Sequence, residues 1–497
     1  MGDVRMSSES GRGSEFRREL AARHLGRCLG QPHDSPVVAY EDAGGRIGPS
    51  NAMWVLEFGR LQAPRCLLAP TVSIRRQNDH VRVLVSHDLL PWIADHLSLL
   101  YDGHRDEFGR PVEREPIAWA RPWIDCVAHS LRTSIRAAAR ELGVEWLELA
   151  SWPDGRPFAV TVSHDIDSLN EREPFALIHN ALSLVNPDRD MLLSRTVAMR
   201  RFVRSLVRPV DPLANIRRFV ELERELAIDS TYFMLLDERW SRHGARYELD
   251  QASVQQTIRL ALDAGHEVGL HTGVSYFADA DSIGRWVDRL RRTGASVESI
   301  RGHYLCFDHA TSFESLPAAR IRNDATFGLP ATTGFRSGTS MPYEVETTVV
   351  PADGPVVEVP LGLMDVALFR EPEGPAAVVE RLLDDIGTVG GLLSVLWHNN
   401  YVNVPEYRHV EEVMTGLLVR ALDAGAWCAG TARVRSWFDQ RSSVDLRLRA
   451  GSVAAATHGS YPVQIEIVGP NGVRRVSLRE GHACDFPLSG YEELSKQ

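Results

Sequence analysis

Phe158-Ala-Val-Thr-Val-Ser-His-Asp-Ile-Asp167 is an apolar run that ends in two carboxylates spaced two residues apart. Side chains in a strand alternate faces, so Asp165 and Asp167 project to one side while His164 and Ile166 project to the other. Two acids crowded at the end of a buried strand repel each other unless a cation or a shared proton relieves them. The stretch therefore points to a metal or acid/base centre at a strand terminus. The competing reading is a solvated turn, for which Asp167-Ser-Leu-Asn170 is suitable chemistry.

Working outward, apolar strands alternate with amphipathic helices from Phe158 to about Arg441, the pattern of β/α units on a parallel sheet. The spacing predicts strands over 158–164, 230–236, 266–271, 299–304, 321–325, 356–361 and 392–398. Helices fit 213–226, 251–264, 280–293, 376–387 and 407–424. The fold class expected is α/β, a deformed (β/α)7-type barrel over 151–441, with functional groups at the C-terminal ends of its strands. An N-terminal α/β extension (1–150) and a small C-terminal β module (442–497) flank it. In the extension, helices are expected over 15–29 and 117–142 and strands over 54–58 and 81–85. Trp123, Asp125, His129 and Arg132 fall at helical spacing and read as a packed helix. The Arg-rich segment 170–212 reads as an amphipathic helix packed on the barrel, with a membrane-surface or phosphate-binding lid as the alternative.

Composition narrows the function classes. The 497 residues, 44% hydrophobic and 24% charged, supply core material for two or three globular domains. A net charge of −11 argues against a nucleic-acid partner. The six cysteines form no C-x-x-C pair, which fits reduced thiols in a cytosolic protein. The polar start and the lack of any run near ~20 apolar residues lead us to expect no secretion signal, no transmembrane segment and a cytoplasmic location.

Further chemistry-bearing residues fall at later strand ends. Gly265-His-Glu-Val-Gly-Leu-His271-Thr272 contains a zincin-like HE pair, but His266 and His271 lie five apart, so no helix or strand puts both on one face. The zincin reading fails, leaving His271 at the C-terminal rim and His266 at the other end. Arg301-Gly-His303-Tyr304 closes a later strand, and Leu396-Trp-His398-Asn399 closes the last. Strand termini that deliver Asp/Asp, His, Arg/His/Tyr and His carry the ingredients of metal-assisted hydrolysis.

In this order the residues resemble the polysaccharide deacetylase superfamily (NodB-homology, carbohydrate esterase family 4) over about residues 156–440. Asp165-Ile-Asp167 is similar to its first motif, His271-Thr272 to the start of H-[ST]-x-x-H, Arg301-Gly-His303-Tyr304 to R-x-P-Y, and Leu396-Trp397-His398 to the last. The resemblance implies Asp165 as general base, Asp167 as metal ligand, His398 as general acid and the Tyr304 backbone N–H as oxyanion donor, with Arg301 and Trp397 beside substrate. Two departures stand out: Ser275 replaces the second histidine of the second motif, and His303 replaces the proline of the third. We therefore expect a divalent metal held by Asp167, His271 and His303, zinc first, with cobalt, nickel and manganese as alternatives. Gly334-Phe-Arg336 and Glu358-Val-Pro-Leu-Gly-Leu-Met-Asp365 resemble a divergent branch; Arg336 either binds a sugar hydroxyl or carboxylate or packs a loop, and Asp365 either orients His398 or substrate or packs a strand. The expected activity is hydrolysis of an N-acyl group, an acetamide on an amino sugar or glycan precursor. The alternatives are a hydrolase of a non-sugar amide on a small metabolite, and a metal-poor barrel that binds a carbohydrate or metabolite.

Overall fold

The computed structural model describes residues 11–31, 38–41, 46–47, 54–62, 71–77, 80–98, 105–110, 120–169, 194–207, 211–237, 244–245, 247–308, 311–348, 351, 354–449, 452–480 and 483–487, with positions 178 and 181.

The first barrel strand, Ala159–Ile166, is buried along its whole length, as expected of a parallel strand covered on both faces. Thr231–Leu236, Glu267–Thr272, Ser299–Gly302, Asn323–Asp324 and Val357–Glu358 follow it side by side, all parallel. Leu392–Leu396 lies on its other side, also parallel. The segment 356–364 joins the two edges. Its first part pairs with Asn323–Asp324, whereas Leu363–Met364 pairs with Leu392–Leu396, and the Gly362 N–H donates to the Ser394 carbonyl at 3.1 Å. One chain segment thus receives both sheet edges, which curls the sheet into the deformed barrel.

Helices Pro212–Glu225, Ala252–Asp263, Ala280–Arg291, Pro375–Val389 and Arg408–Asp423 clothe the barrel, within one or two residues of the periodicity. Their apolar stripes are buried: Val254, Ile258 and Ala261 on one, Val378, Leu382 and Ile386 on another. Each fully buried Leu, Ile or Val contributes ~1.5–3 kcal/mol. The strand expected over 299–304 ends at Gly302 because Tyr304 and Leu305 adopt φ of 56° and 58°, which no strand accommodates.

The flanks interlock with the barrel. Helices Gly11–Cys28 and Trp123–Leu142 pack in the same continuous apolar core as the barrel, and the five-stranded sheet that includes Trp54–Gln62 and His80–Asp88 stands beside them. The C-terminal hairpin Val463–Leu478 does not stand alone: Val463–Gly469 pairs antiparallel with Trp146–Leu149, Ile465 opposite Leu149. A cut at 150 therefore passes beside a strand that belongs to the same sheet as the C-terminal segment. In the Arg-rich segment the helix runs Arg195–Val207; Arg204 pairs with Glu406 at 3.1 Å and Arg201 caps the Tyr407 ring, while Met199 and Val203 are exposed. Positions 170–177 and 182–193, and the 117–119 start of the expected helix, lie outside the described residues. Among the described residues, no helix is long and apolar enough to cross a membrane.

Candidate active site

Alternation along Ala159–Ile166 sorts the opening motif as its spacing requires. His164 points outward, where its ring stacks on Phe219 with centroids 3.8 Å apart, and its Nε2 meets Glu223 at 2.7 Å. Glu223 also accepts from the Tyr232 hydroxyl at 2.9 Å and lies 3.3 Å from His266 Nε2, so His266 serves the far end of the sheet. Asp165 points inward, and Asp167 follows where the strand ends.

Inside the rim, Asp165, Asp167, His271, His303 and His398 converge from four strand ends. His271 Nε2 lies 3.4 Å from Asp165 Oδ2 and 3.4 Å from Asp167 Oδ1. His303 Nδ1 lies 3.1 Å from His271 Nε2 and 3.7 Å from Asp167 Oδ1. His271 Nδ1 donates to the Arg301 carbonyl at 2.9 Å, which leaves its Nε2 lone pair turned into the site. On the far wall, His398 Nε2 stands 4.0 Å from Asp167 Oδ2.

A divalent cation fits this donor set. Asp167 Oδ1 is a buried carboxylate oxygen without a hydrogen-bond partner, a costly state unless something else neutralises it. Asp167, His271 and His303 each offer a ligand atom, all within 4.8 Å of one another, and a carboxylate with two imidazoles is a donor set of the zinc type. Ser275 is turned aside, its Oγ donating to Asp237 Oδ1 at 3.1 Å.

Electrostatics separate the roles. Burial works against a charged Asp167, yet the neighbouring His303, His271 and His398 imidazoles hold its carboxyl well below the usual range. Burial lowers His303 to about 4 despite Asp167, keeping it neutral and able to ligate. For His398, burial is outweighed by Asp365, then Asp167 and Asp165, and its pKa is pushed up to about 10. The ring is therefore a protonated, oriented donor at neutral pH. Asp165 is held by Arg301, whose Nη1 donates to Asp165 Oδ1 and to Ser163 Oγ, both at 2.9 Å. Arg301 is itself fully buried, its guanidinium 4.5 Å from the centre of the Phe233 ring.

Of the remaining expected residues, Tyr304 reaches the rim. Asp365 is completely buried and binds His398. Trp397 and Arg336, expected at substrate, are both 1% exposed. Trp397 packs edge-on against Phe219, because it alternates with His398 to the helix side, and Arg336 donates to the Gly109 carbonyl at 2.9 Å. Sequence reasoning missed a second grouping, His24, Cys28 and Asp125, whose ligand-type atoms also lie within 4.8 Å of one another. His24 and Cys28 share a helix face at i, i+4, a signal that was legible. Asp125 is already satisfied by the Thr339 hydroxyl at 2.6 Å and the Ser340 N–H at 2.7 Å, so the group clamps the N-terminal helices to the barrel.

No family model matches the chain, and no curated protein matches it. Among solved structures, it is similar to a protein assigned as a polysaccharide deacetylase from Mycobacterium smegmatis (19% identity, 60% of this chain and 96% of that one, TM-score 0.38). It is also similar to the chitin deacetylase of Colletotrichum lindemuthianum (14% identity, 57% and 88%, TM-score 0.30) and to a family 4 carbohydrate esterase pseudoenzyme from Bacillus anthracis (11% identity, 56% and 64%, TM-score 0.29).

Proposed function

We propose that the chain is a divergent, metal-dependent deacetylase-type hydrolase that removes an N-acyl group from an amino sugar. The observation that carries this reading is the convergence of Asp165, Asp167, His271, His303 and His398 at one end of the barrel, with Asp167 Oδ1 buried and lacking a hydrogen-bond partner. Asp167, His271 and His303 would hold a divalent metal, which would supply Lewis-acid chemistry toward the acyl group. Asp165, oriented by Arg301, takes the proton from the attacking water. His398, kept protonated by Asp365, delivers a proton to the departing amine nitrogen. Burial of Asp165 and His271 at the site floor limits water access to that proton traffic.

The test is release of acetate from N-acetylated sugars by the purified, zinc-loaded chain, beside its metal content. Turnover abolished by a chelator and restored by zinc is the expected result. A metal-free protein that releases no acetate after reconstitution overturns the reading in favour of a carbohydrate- or metabolite-binding barrel, the alternative that Ser275 facing Asp237 favours.

A further inference from the structure

We propose that the helix Arg195–Val207 docks the chain on the surface of an anionic membrane.

Among the described residues, nine large apolar side chains are exposed, and four of them sit on this one helix: Met199 (49%), Val203 (51%), Leu206 (48%) and Val207 (68%). Their spacing, i, i+4, i+7 and i+8, is that of a single helical stripe. Isolated exposed apolar residues are ordinary in a folded protein, but a contiguous stripe left in water marks a surface that something else covers.

The stripe is not the face that packs the barrel. On the opposite side of the helix Ala198 and Ser205 are buried, and Arg201 Nη1 donates to the Tyr407 hydroxyl at 2.6 Å. Between the two faces Arg204 pairs with Glu406 at 3.1 Å. The helix is therefore already seated, and its second apolar side points outward.

Charge identifies the covering surface. Between positions 191 and 210 the sequence carries five arginines and no acid, in a chain whose net charge is −11. Glu406 offsets Arg204, while Arg200 is exposed, and both arginines line one groove with Met199, Val203 and Val207. An apolar stripe edged by guanidinium groups fits the headgroup boundary of an anionic bilayer, where apolar side chains enter the acyl region and cations meet phosphates. A second copy of the chain would instead bring the same arginine-rich face against itself, with no carboxylate within 191–210 to pair across the two-fold axis.

The docking face lies near the catalytic end of the barrel. Tyr407, which Arg201 caps, packs on Tyr401 with ring centroids 4.7 Å apart, and the Tyr401 ring stands 6.1 Å from that of His398. Two rings thus separate the helix from His398, so a docked chain carries its reaction centre beside the bilayer, whichever compound that centre takes.

The test is co-sedimentation of the full chain with lipid vesicles. Vesicles of phosphatidylcholine and phosphatidylglycerol at about 3:1 should bring down the wild type at ~0.1 M salt and release it at ~0.5 M, whereas phosphatidylcholine alone should leave it in solution. Val203→Glu should weaken binding at least about tenfold, the worth of one buried valine. Arg200→Ala should weaken it about fivefold, the worth of one cation at an anionic surface. Both positions are exposed, so neither change touches the core; if Val203→Glu does not fold, as judged by circular dichroism, Val207→Glu makes the same comparison. A wild type that ignores anionic vesicles, equal binding to both vesicle types, or binding unchanged by the glutamate overturns the docking. So does a wild type that binds neither vesicle but sediments as a dimer, with Val203→Glu monomeric, which assigns the stripe to a second copy.

Discussion

Asp365 grips His398 at two points: its Oδ1 lies 2.8 Å from His398 Nδ1, and its Oδ2 accepts the His398 backbone N–H at 2.7 Å. The carboxylate is completely buried, so it fixes the ring orientation and stabilises the imidazolium in a poorly solvated setting.

From this pair follows a pH signature. A general acid works while protonated, and a raised pKa means the proton is kept until the pH climbs through about 10. Asp365→Asn removes the chief raising charge. The basic limb of kcat for acetate release should move from about 10 toward the ordinary histidine value of about 6.5. A limb that stays in place removes His398 as the acid.

Asp165→Asn should lower kcat by ~10²–10⁴-fold, the usual contribution of a general base. Breaking the same buried pair from the other side should show as stability. Arg301→Met leaves Asp165 buried without its cation, and urea denaturation should report a loss of ~3–5 kcal/mol. Wild-type turnover in Asp165→Asn contradicts the assignment.

Metal content by elemental analysis should approach one equivalent in the wild type and collapse in Asp167→Ala, His271→Ala and His303→Ala. Ser275→His should not raise it, because position 275 faces Asp237. Full metal occupancy in His303→Ala would return the third ligand to some other residue.

Acid stability should carry a mark of His24. Burial, with Arg27 adding to it, lowers its pKa to about 3. The unfolded imidazole, near 6.5, takes up its proton first as pH falls, so this contribution is intact above about 6.5 and drains away toward about 3. Buried Asp125 is raised to about 6, so its own contribution runs the other way and fades as pH rises through that value. His24→Gln should flatten the fall of the melting temperature between pH about 6.5 and 4; an unchanged slope assigns the acid sensitivity elsewhere.

Much of the barrel was legible because its strands and helices obey strong periods. The helix expected over 280–293 is Ala280–Arg291, and its buried Ile283, Val287 and Leu290 are the residues that the 3.6 period selects. His266 and His271, five apart, fall at opposite ends of their strand's reach, as the spacing required. The flanks were less legible, because contact between 146–149 and 463–469 depends on pairing across more than half the chain. Residue type marks Arg336 and Trp397 as groups able to bind a ligand, or, for Arg336, to pack a loop, but their burial, 1% exposed each, is decided by what packs around them and could not be read from the sequence.

The sequence by itself determined the alternation that sends Asp165 inward and His164 outward, and the order in which strand ends deliver acids and histidines, since both are properties of covalent spacing and backbone geometry. Only the tertiary structure decided that His303 faces His271 while Ser275 turns to Asp237, that Asp365 reaches His398, and that a turn from the N-terminal region meets Tyr304. Those relationships join residues distant along the chain. No local period encodes them, because they arise when burial of one continuous core fixes the strand ends in space.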